Sequence, residues 1–135
     1  MDVVNKIYID WEQVENLVTE LAISVNLKLP GIKYIHGIAR GGLIPAVMLS
    51  HKLGIPYTKF PHNHIDSCLI VDDIADSGHT LKAWSDYRTA VLHYKPHTSF
   101  VQPTLWSETH KTDDWIIYPW ERQDSKTVQD YKLDK

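Results

Sequence analysis

Three carboxylates crowd one short stretch of this chain. Leu69-Ile-Val-Asp-Asp-Ile-Ala-Asp-Ser-Gly-His-Thr-Leu81 carries Asp72 and Asp73 side by side and Asp76 three residues further on. Neighbouring carboxylates repel, so a cation or a set of hydroxyl groups must offset the cost. The acids follow the apolar run Leu69-Ile-Val71 and lead into Asp76-Ser-Gly-His-Thr80, a turn able to open a helix. Backbone N–H groups at such a turn, with the hydroxyls of Ser77 and Thr80, point at one spot and favour a phosphate. Gly78 lets the backbone come close to it. Asp72 and Asp73 can accept hydrogen bonds from vicinal hydroxyls, or hold Mg2+ directly or through water. A phosphate at the turn and hydroxyls at the acid pair together describe a ribose 5-phosphate.

Such a site needs elements that deliver both parts to one place. Lys6-Ile-Tyr-Ile9 reads as a short strand, and Asp10 with Gln13 has the spacing of a capping box. Val14, Leu17, Val18, Leu21, Ala22 and Val25 recur at three and four, which predicts an amphipathic helix over 11–27. Tyr34–Ile38 reads as a strand, Leu43–Leu53 as a helix ended by Gly54, and Ser67–Asp72 as a strand buried on both faces. The pattern then predicts a helix from Thr80 to about Leu92, a strand over His97–Val101 and a last strand at Trp115–Tyr118. Strands alternating with helices predict an α/β fold, a central mainly parallel sheet flanked by helices. In such sheets ligands bind at the carboxyl ends of the strands. Ala39-Arg-Gly-Gly42 and the acidic turn both fall there.

Here the chain resembles the type I phosphoribosyltransferases. The apolar run followed by Asp72-Asp73-Ile-x-Asp76-Ser77-Gly78-x-Thr80 is similar to their signature for phosphoribosyl pyrophosphate (PRPP). Gly37-Ile-Ala-Arg-Gly-Gly-Leu-Ile-Pro45 is similar to their pyrophosphate loop. Trp115-Ile-Ile-Tyr-Pro-Trp-Glu121 and Tyr8-Ile-Asp-Trp11 resemble the xanthine-guanine enzymes of that family, so the likeness runs from Tyr8 to Glu121. It implies that Asp72 and Asp73 hold the ribose hydroxyls and help place Mg2+. Asp76, Ser77, Gly78, His79 and Thr80 would surround the 5-phosphate, with Asp76 also accepting a proton from the base. Arg40, Gly41 and Gly42 would receive pyrophosphate, and Trp115 with Ile116 would stack on a purine. Taken alone, these features have plainer readings: a helix cap at Asp76, a simple turn at Arg-Gly-Gly, a core Trp at 115.

Three departures from the family stand out. Only Phe60–Cys68 occupies the place of a longer hood loop that closes over PRPP, so water exclusion should suffer and PRPP hydrolysis should compete. Residues 104–114 are the candidate for a substitute lid. Gln102 is expected where the purine enzymes carry a lysine that donates to the 6-oxo group. Ile117 stands where an acid usually follows Trp-Ile.

The remaining composition sets bounds. The 135 residues suffice for one domain spanning 1–135, with 43% hydrophobic and 23% charged residues. A net charge of −3 argues against a general nucleic-acid surface. Cys68, the only cysteine, reads as a small buried hydrophobe in a reducing, cytoplasmic setting. No signal peptide or membrane-spanning run is recognised. His62-Asn63-His64 has no partners at metal-ligand spacing. The expected function is transfer of ribose 5-phosphate from Mg-PRPP to a purine base, with Mg2+ as cofactor. The expected assembly is a homodimer or homotetramer. The alternative is a non-catalytic PRPP- or nucleotide-binding regulator of the same fold. A phospho-receiver domain also gathers acids at strand ends, but it places the pair after its first strand.

Overall fold

A computed structural model describes residues 5–122. The polar stretch from Arg122 to Lys135 is expected to fray, and all of it after Arg122 lies outside the described residues. Two parallel sheets organise the chain. The larger has the order β2-β3-β4-β5, from Tyr34–Gly37 (β2), Cys68–Ala75 (β3), Arg88–Tyr94 (β4) and Leu105–Thr109 (β5). The smaller pairs Lys6–Tyr8 (β1) with Trp115–Ile117 (β6), in a register that sets Lys6 opposite Trp115.

Helix α1 runs from Trp11 to Lys28 and begins as its sequence dictates. Asp10 Oδ1 accepts the Gln13 N–H at 2.8 Å, and Gln13 Oε1 accepts the Asp10 N–H at 2.9 Å. Its six periodic apolar residues, Val14 through Val25, are all buried. Helix α2 spans Leu43–Leu53 and stops at Gly54, whose φ of 66° suits glycine. Both helices pack on one sheet face, where Leu69, Val71, Ala90 and Leu92 meet Val18, Leu21, Ala46 and Leu49 in a single core.

The other face is thinner, and here the sequence expectation needs correction. The helix predicted over Thr80–Leu92 is one turn, His79–Lys82 (α3), followed by turns into β4. The run from Arg88 to Tyr94 is a strand buried on both faces, which hydrophobic periodicity alone does not separate from a helix. Leu81, Ala75 and Val91 form a small second cluster with Ile38, Tyr94, Val101 and Trp106 around them. The predicted strand over His97–Val101 is a turn and bend. Strand β5, unforeseen, takes the sheet edge. It anchors through Leu105, which is buried, and through Ser107, whose hydroxyl donates to the Leu17 carbonyl at 2.6 Å. Thr89 and Thr104 exchange backbone-to-hydroxyl bonds of 3.0 and 3.2 Å. Residues 104–109 are therefore part of the sheet, and the 104–114 segment is not a lid that can swing over the cleft. Strand β3 also runs further than expected, to Ala75, so the acid pair lies within the strand itself.

Candidate active site

Register explains how the acids come to face a cleft. Strand β2 ends at Gly37, opposite Val71, so β3 runs past its neighbour exactly where Asp72 and Asp73 begin. Both are buried. One oxygen of each is spoken for by backbone: Asp72 Oδ1 accepts the Asp73 N–H at 2.9 Å, and Asp73 Oδ1 accepts the Ile74 N–H at 2.8 Å. The loop after β2 folds directly against them. A methyl group built on Gly41 would lie 2.1 Å from Asp73 Oδ2, and one on Gly42 would lie 2.3 Å from the Val71 carbonyl. The Ile38 N–H reaches that same carbonyl at 2.9 Å, and the Gly42 N–H closes the loop on Ile38 at 2.8 Å. The Ala39–Arg40 peptide is cis. The structure thus brings Gly41 and Gly42 against the acid pair, while Arg40 is exposed on the loop.

The acidic turn closes the next side. Gly78 adopts φ 91°, a conformation costly for other residues, and a methyl there would meet Ser99 Oγ and the Val101 nitrogen at 2.9 Å. Segment 98–101 buttresses the turn from behind. The Phe100 N–H donates to the Ser77 carbonyl at 3.1 Å. The Thr98 hydroxyl lies 2.7 Å from the Asp76 carbonyl and 3.0 Å from its Oδ1. Ser77 Oγ accepts the His79 N–H at 3.2 Å and sits 2.9 Å from His79 Nδ1. Since α3 is one turn long, a full helix dipole is not available. Individual donors remain: the N–H groups of Ser77 and Gly78 make no backbone hydrogen bond outside helices and strands among the described residues.

The side of the cleft that Trp115 lines departs from one sequence expectation. Gln102 is exposed in the loop between β4 and β5 and does not line the cleft. Lys95 does. It follows β4 directly, is only 4% exposed, and places Nζ 3.8 Å from Asp76 Oδ1. Its signal was present in Ala90-Val-Leu-His-Tyr-Lys95, an apolar strand ending in a lysine. Periodicity reads that strand as helix, which moves the expected strand end seven residues, from Tyr94 to Val101. Trp115 and Ile116 line the cleft, joined by Tyr118 and Glu121. Ile117, in place of an acid, is buried instead.

Behind this wall lies a polar pair that sequence reasoning missed. The Tyr118 hydroxyl lies 2.7 Å from His93 Nδ1 and 3.2 Å from the Asp73 carbonyl. Burial, and then the nearby Asp73 and Asp72 carboxylates, push the Tyr118 phenol well above its ordinary range. Burial, with His110 adding to it, holds His93 down to about 4, so its imidazole is neutral near pH 7. Cys68 is buried as expected, and burial raises its thiol to about 11.

Together these residues enclose a cleft of about 370 Å³ at the strand ends, lined by the acid pair, the whole turn from Asp76 to Thr80, Lys95, Trp115 and Ile38–Ala39. Its size and position suit a nucleotide. Among the described residues no helix is long and apolar enough to cross a membrane.

Fold and cleft define an α/β protein with a nucleotide-sized cleft at the carboxyl ends of a parallel sheet. Comparison with known proteins narrows this class. No family model matches the chain. It is 27% identical over 139 residues to the xanthine-guanine phosphoribosyltransferase of Nitratidesulfovibrio vulgaris strain Hildenborough, covering 85% of this chain and 84% of that protein. It is 26% identical over 144 residues to the enzyme of the same name from Cereibacter sphaeroides, with 84% and 86% covered. The solved purine phosphoribosyltransferase of Pyrococcus horikoshii superposes with a TM-score of 0.74 at 30% identity, over 93% of this chain and all of that one. The chain belongs to the purine phosphoribosyltransferases of the type I fold.

Proposed function

We propose that this protein transfers ribose 5-phosphate from Mg-PRPP to a 6-oxopurine (guanine, xanthine or hypoxanthine) with release of pyrophosphate. The observation that carries this reading is Lys95, a nearly buried ammonium beside Asp76 at the mouth of the phosphate turn. An ammonium offers donors only, so it pairs with a 6-oxo group and leaves a 6-amino group without a partner. Asp76 beside it is placed to take the proton released from the purine's imidazole nitrogen as that nitrogen attacks the anomeric carbon. Trp115 supplies the stacking face.

The 5-phosphate is assigned to the donors of Ser77, Gly78 and Thr80, with His79 beside them. The ribose hydroxyls are assigned to Asp72 and Asp73, and the pyrophosphate to the loop of Arg40, Gly41 and Gly42. Asp72 and Asp73 also fit Mg2+, which favours one or two carboxylates completed by substrate and water oxygens. No third His, Cys, Asp or Glu converges on them among the described residues, in keeping with that donor set. Bound there, Mg2+ would neutralise charge on the departing pyrophosphate. The carboxylates of Asp72 and Asp73 stabilise positive charge that develops on the ribose. Phe60–Cys68, folded as one 3-10 turn at Pro61–His64, is too short to cover PRPP, so slow transfer with competing hydrolysis is expected.

The test is incubation with Mg-PRPP and a panel of bases, following nucleotide and pyrophosphate together. Nucleotide formed from oxopurines and not from adenine supports the reading. Tight PRPP binding without turnover on any base would favour a regulatory binding protein instead.

A further inference from the structure

Strand β6 brings the base-stacking residues Trp115 and Ile116, but it pairs only with β1, in a sheet separate from the one that carries Asp72, Asp73 and Lys95. The reaction needs the base wall and the ribose acids at a fixed spacing, and no strand pairing supplies it. The first residue after β6, Tyr118, reaches across. Its hydroxyl donates to the Asp73 carbonyl at 3.2 Å, and with that proton committed it accepts from His93 Nδ1 at 2.7 Å. His93 sits on β4, paired in register with Ile74. On the β2 side the ladder does not reach Asp73, because β2 stops opposite Val71. Its carboxylate is tied to its own peptide through the Ile74 N–H, and it presses on Gly41. A shift of the Asp73 peptide therefore moves a ribose-binding acid and the loop beside it.

We propose that Tyr118 and His93 form a positioning couple for phosphoribosyl transfer, in which the hydroxyl, held by His93, pins the Asp73 peptide to the end of β6. This rests on the transfer reading above and assigns that site two further residues. The ring of Tyr118 is held independently of its hydroxyl, stacked parallel on Trp120 with centroids 4.8 Å apart, and its N–H donates to Glu121 Oε2 at 2.9 Å. Tyr118→Phe thus removes one oxygen and keeps the packing. Small misplacement of reacting groups lowers turnover more than binding.

The experiment is steady-state kinetics with Mg-PRPP and guanine on wild type, Tyr118→Phe, His93→Leu and His93→Asn, with amide exchange at Asp73 and Ile74 read by NMR. Tyr118→Phe should lower kcat about tenfold and leave both KM values within about twofold, the scale of one buried hydrogen bond. His93→Asn, whose amide can donate to the same oxygen, should regain most of what His93→Leu loses. Amide exchange at Asp73 and Ile74 should speed up in Tyr118→Phe while exchange at Ala90 stays constant. A folded Tyr118→Phe with wild-type kcat and unchanged exchange would overturn the proposal. So would equal losses in His93→Asn and His93→Leu that track melting temperature. If wild type itself shows no transfer, the transfer reading fails, and the exchange measurement alone decides whether the couple pins Asp73.

Discussion

At the ends of β2 and β3 tight glycine backbone holds an acid pair in the cleft wall, whereas at the ends of β4 and β6 the wall is made of larger side chains. On the first side Gly37, Gly41, Gly42 and Gly78 leave no space for a methyl group. On the second, Lys95, Trp115, Tyr118 and Glu121 project from otherwise ordinary strands and turns. On the proposed reading the glycine wall receives what PRPP-dependent reactions share, a sugar carrying phosphates, and a side chain at any of these four glycines should break it. A side-chain wall selects the base, and single substitutions can retune it while the fold persists.

The sharpest way to break the comparison is Gly41→Ala. Its new methyl would overlap Asp73 Oδ2, so either the loop or the acid must move. PRPP affinity should fall by roughly 100-fold or more, equivalent to about 3 kcal/mol or above, as read by calorimetry with Mg2+ present. Survival of PRPP binding in this variant would mean that the loop is not packed as described.

Acid should loosen the base wall. His93 lies beneath it and is held neutral down to about pH 4, while an unfolded chain takes up that proton near 6.5. Below 6.5 the unfolded state binds more protons, so stability falls as pH drops toward 4 and is fully present above 6.5. The loss attributable to His93 is about 3 kcal/mol. Urea unfolding between pH 7 and 4 should show it, and His93→Asn should flatten the slope.

Lys95→Ala sharpens the comparison from the other side. Removing a charge-assisted hydrogen bond should lower kcat/KM for oxopurines by about 2 kcal/mol, roughly 30-fold. KM for PRPP should hardly move, because the glycine wall is intact. Gln102→Lys should change neither value. The smallest effect belongs to Thr80→Val, which removes one hydroxyl donor from the phosphate turn and should weaken nucleotide binding by about 1 kcal/mol.

What could be read from sequence follows the same division. The glycine side announces itself, since glycines and paired acids near a strand end have few other uses; Asp72 to Thr80 do share the cleft, although β3 runs on through the acid pair to Ala75. The capping box at Asp10 and the Gly54 stop are local rules, and both hold. The base side depended on counting strands correctly through residues 80–109, where local rules are silent. Arg88–Tyr94 is apolar on both faces, and β5 is a short, mixed edge strand, so a helix was inferred where a strand lies. With a helix read over β4, the strand end falls at Gln102 instead of Lys95, and edge strand β5 reads as a lid. Tyr118 and His93 could not be foreseen at all, because their pairing spans 25 residues and two sheets.

The account stands or falls on where a nucleotide lies. A crystal structure with guanosine monophosphate bound is the most direct measurement. It should show the phosphate against Ser77–Thr80, the ribose hydroxyls on Asp72 and Asp73, the purine on Trp115, and Lys95 Nζ within hydrogen-bond distance of the 6-oxygen. A phosphate bound elsewhere, or a base that leaves Lys95 facing Asp76 alone, would contradict it.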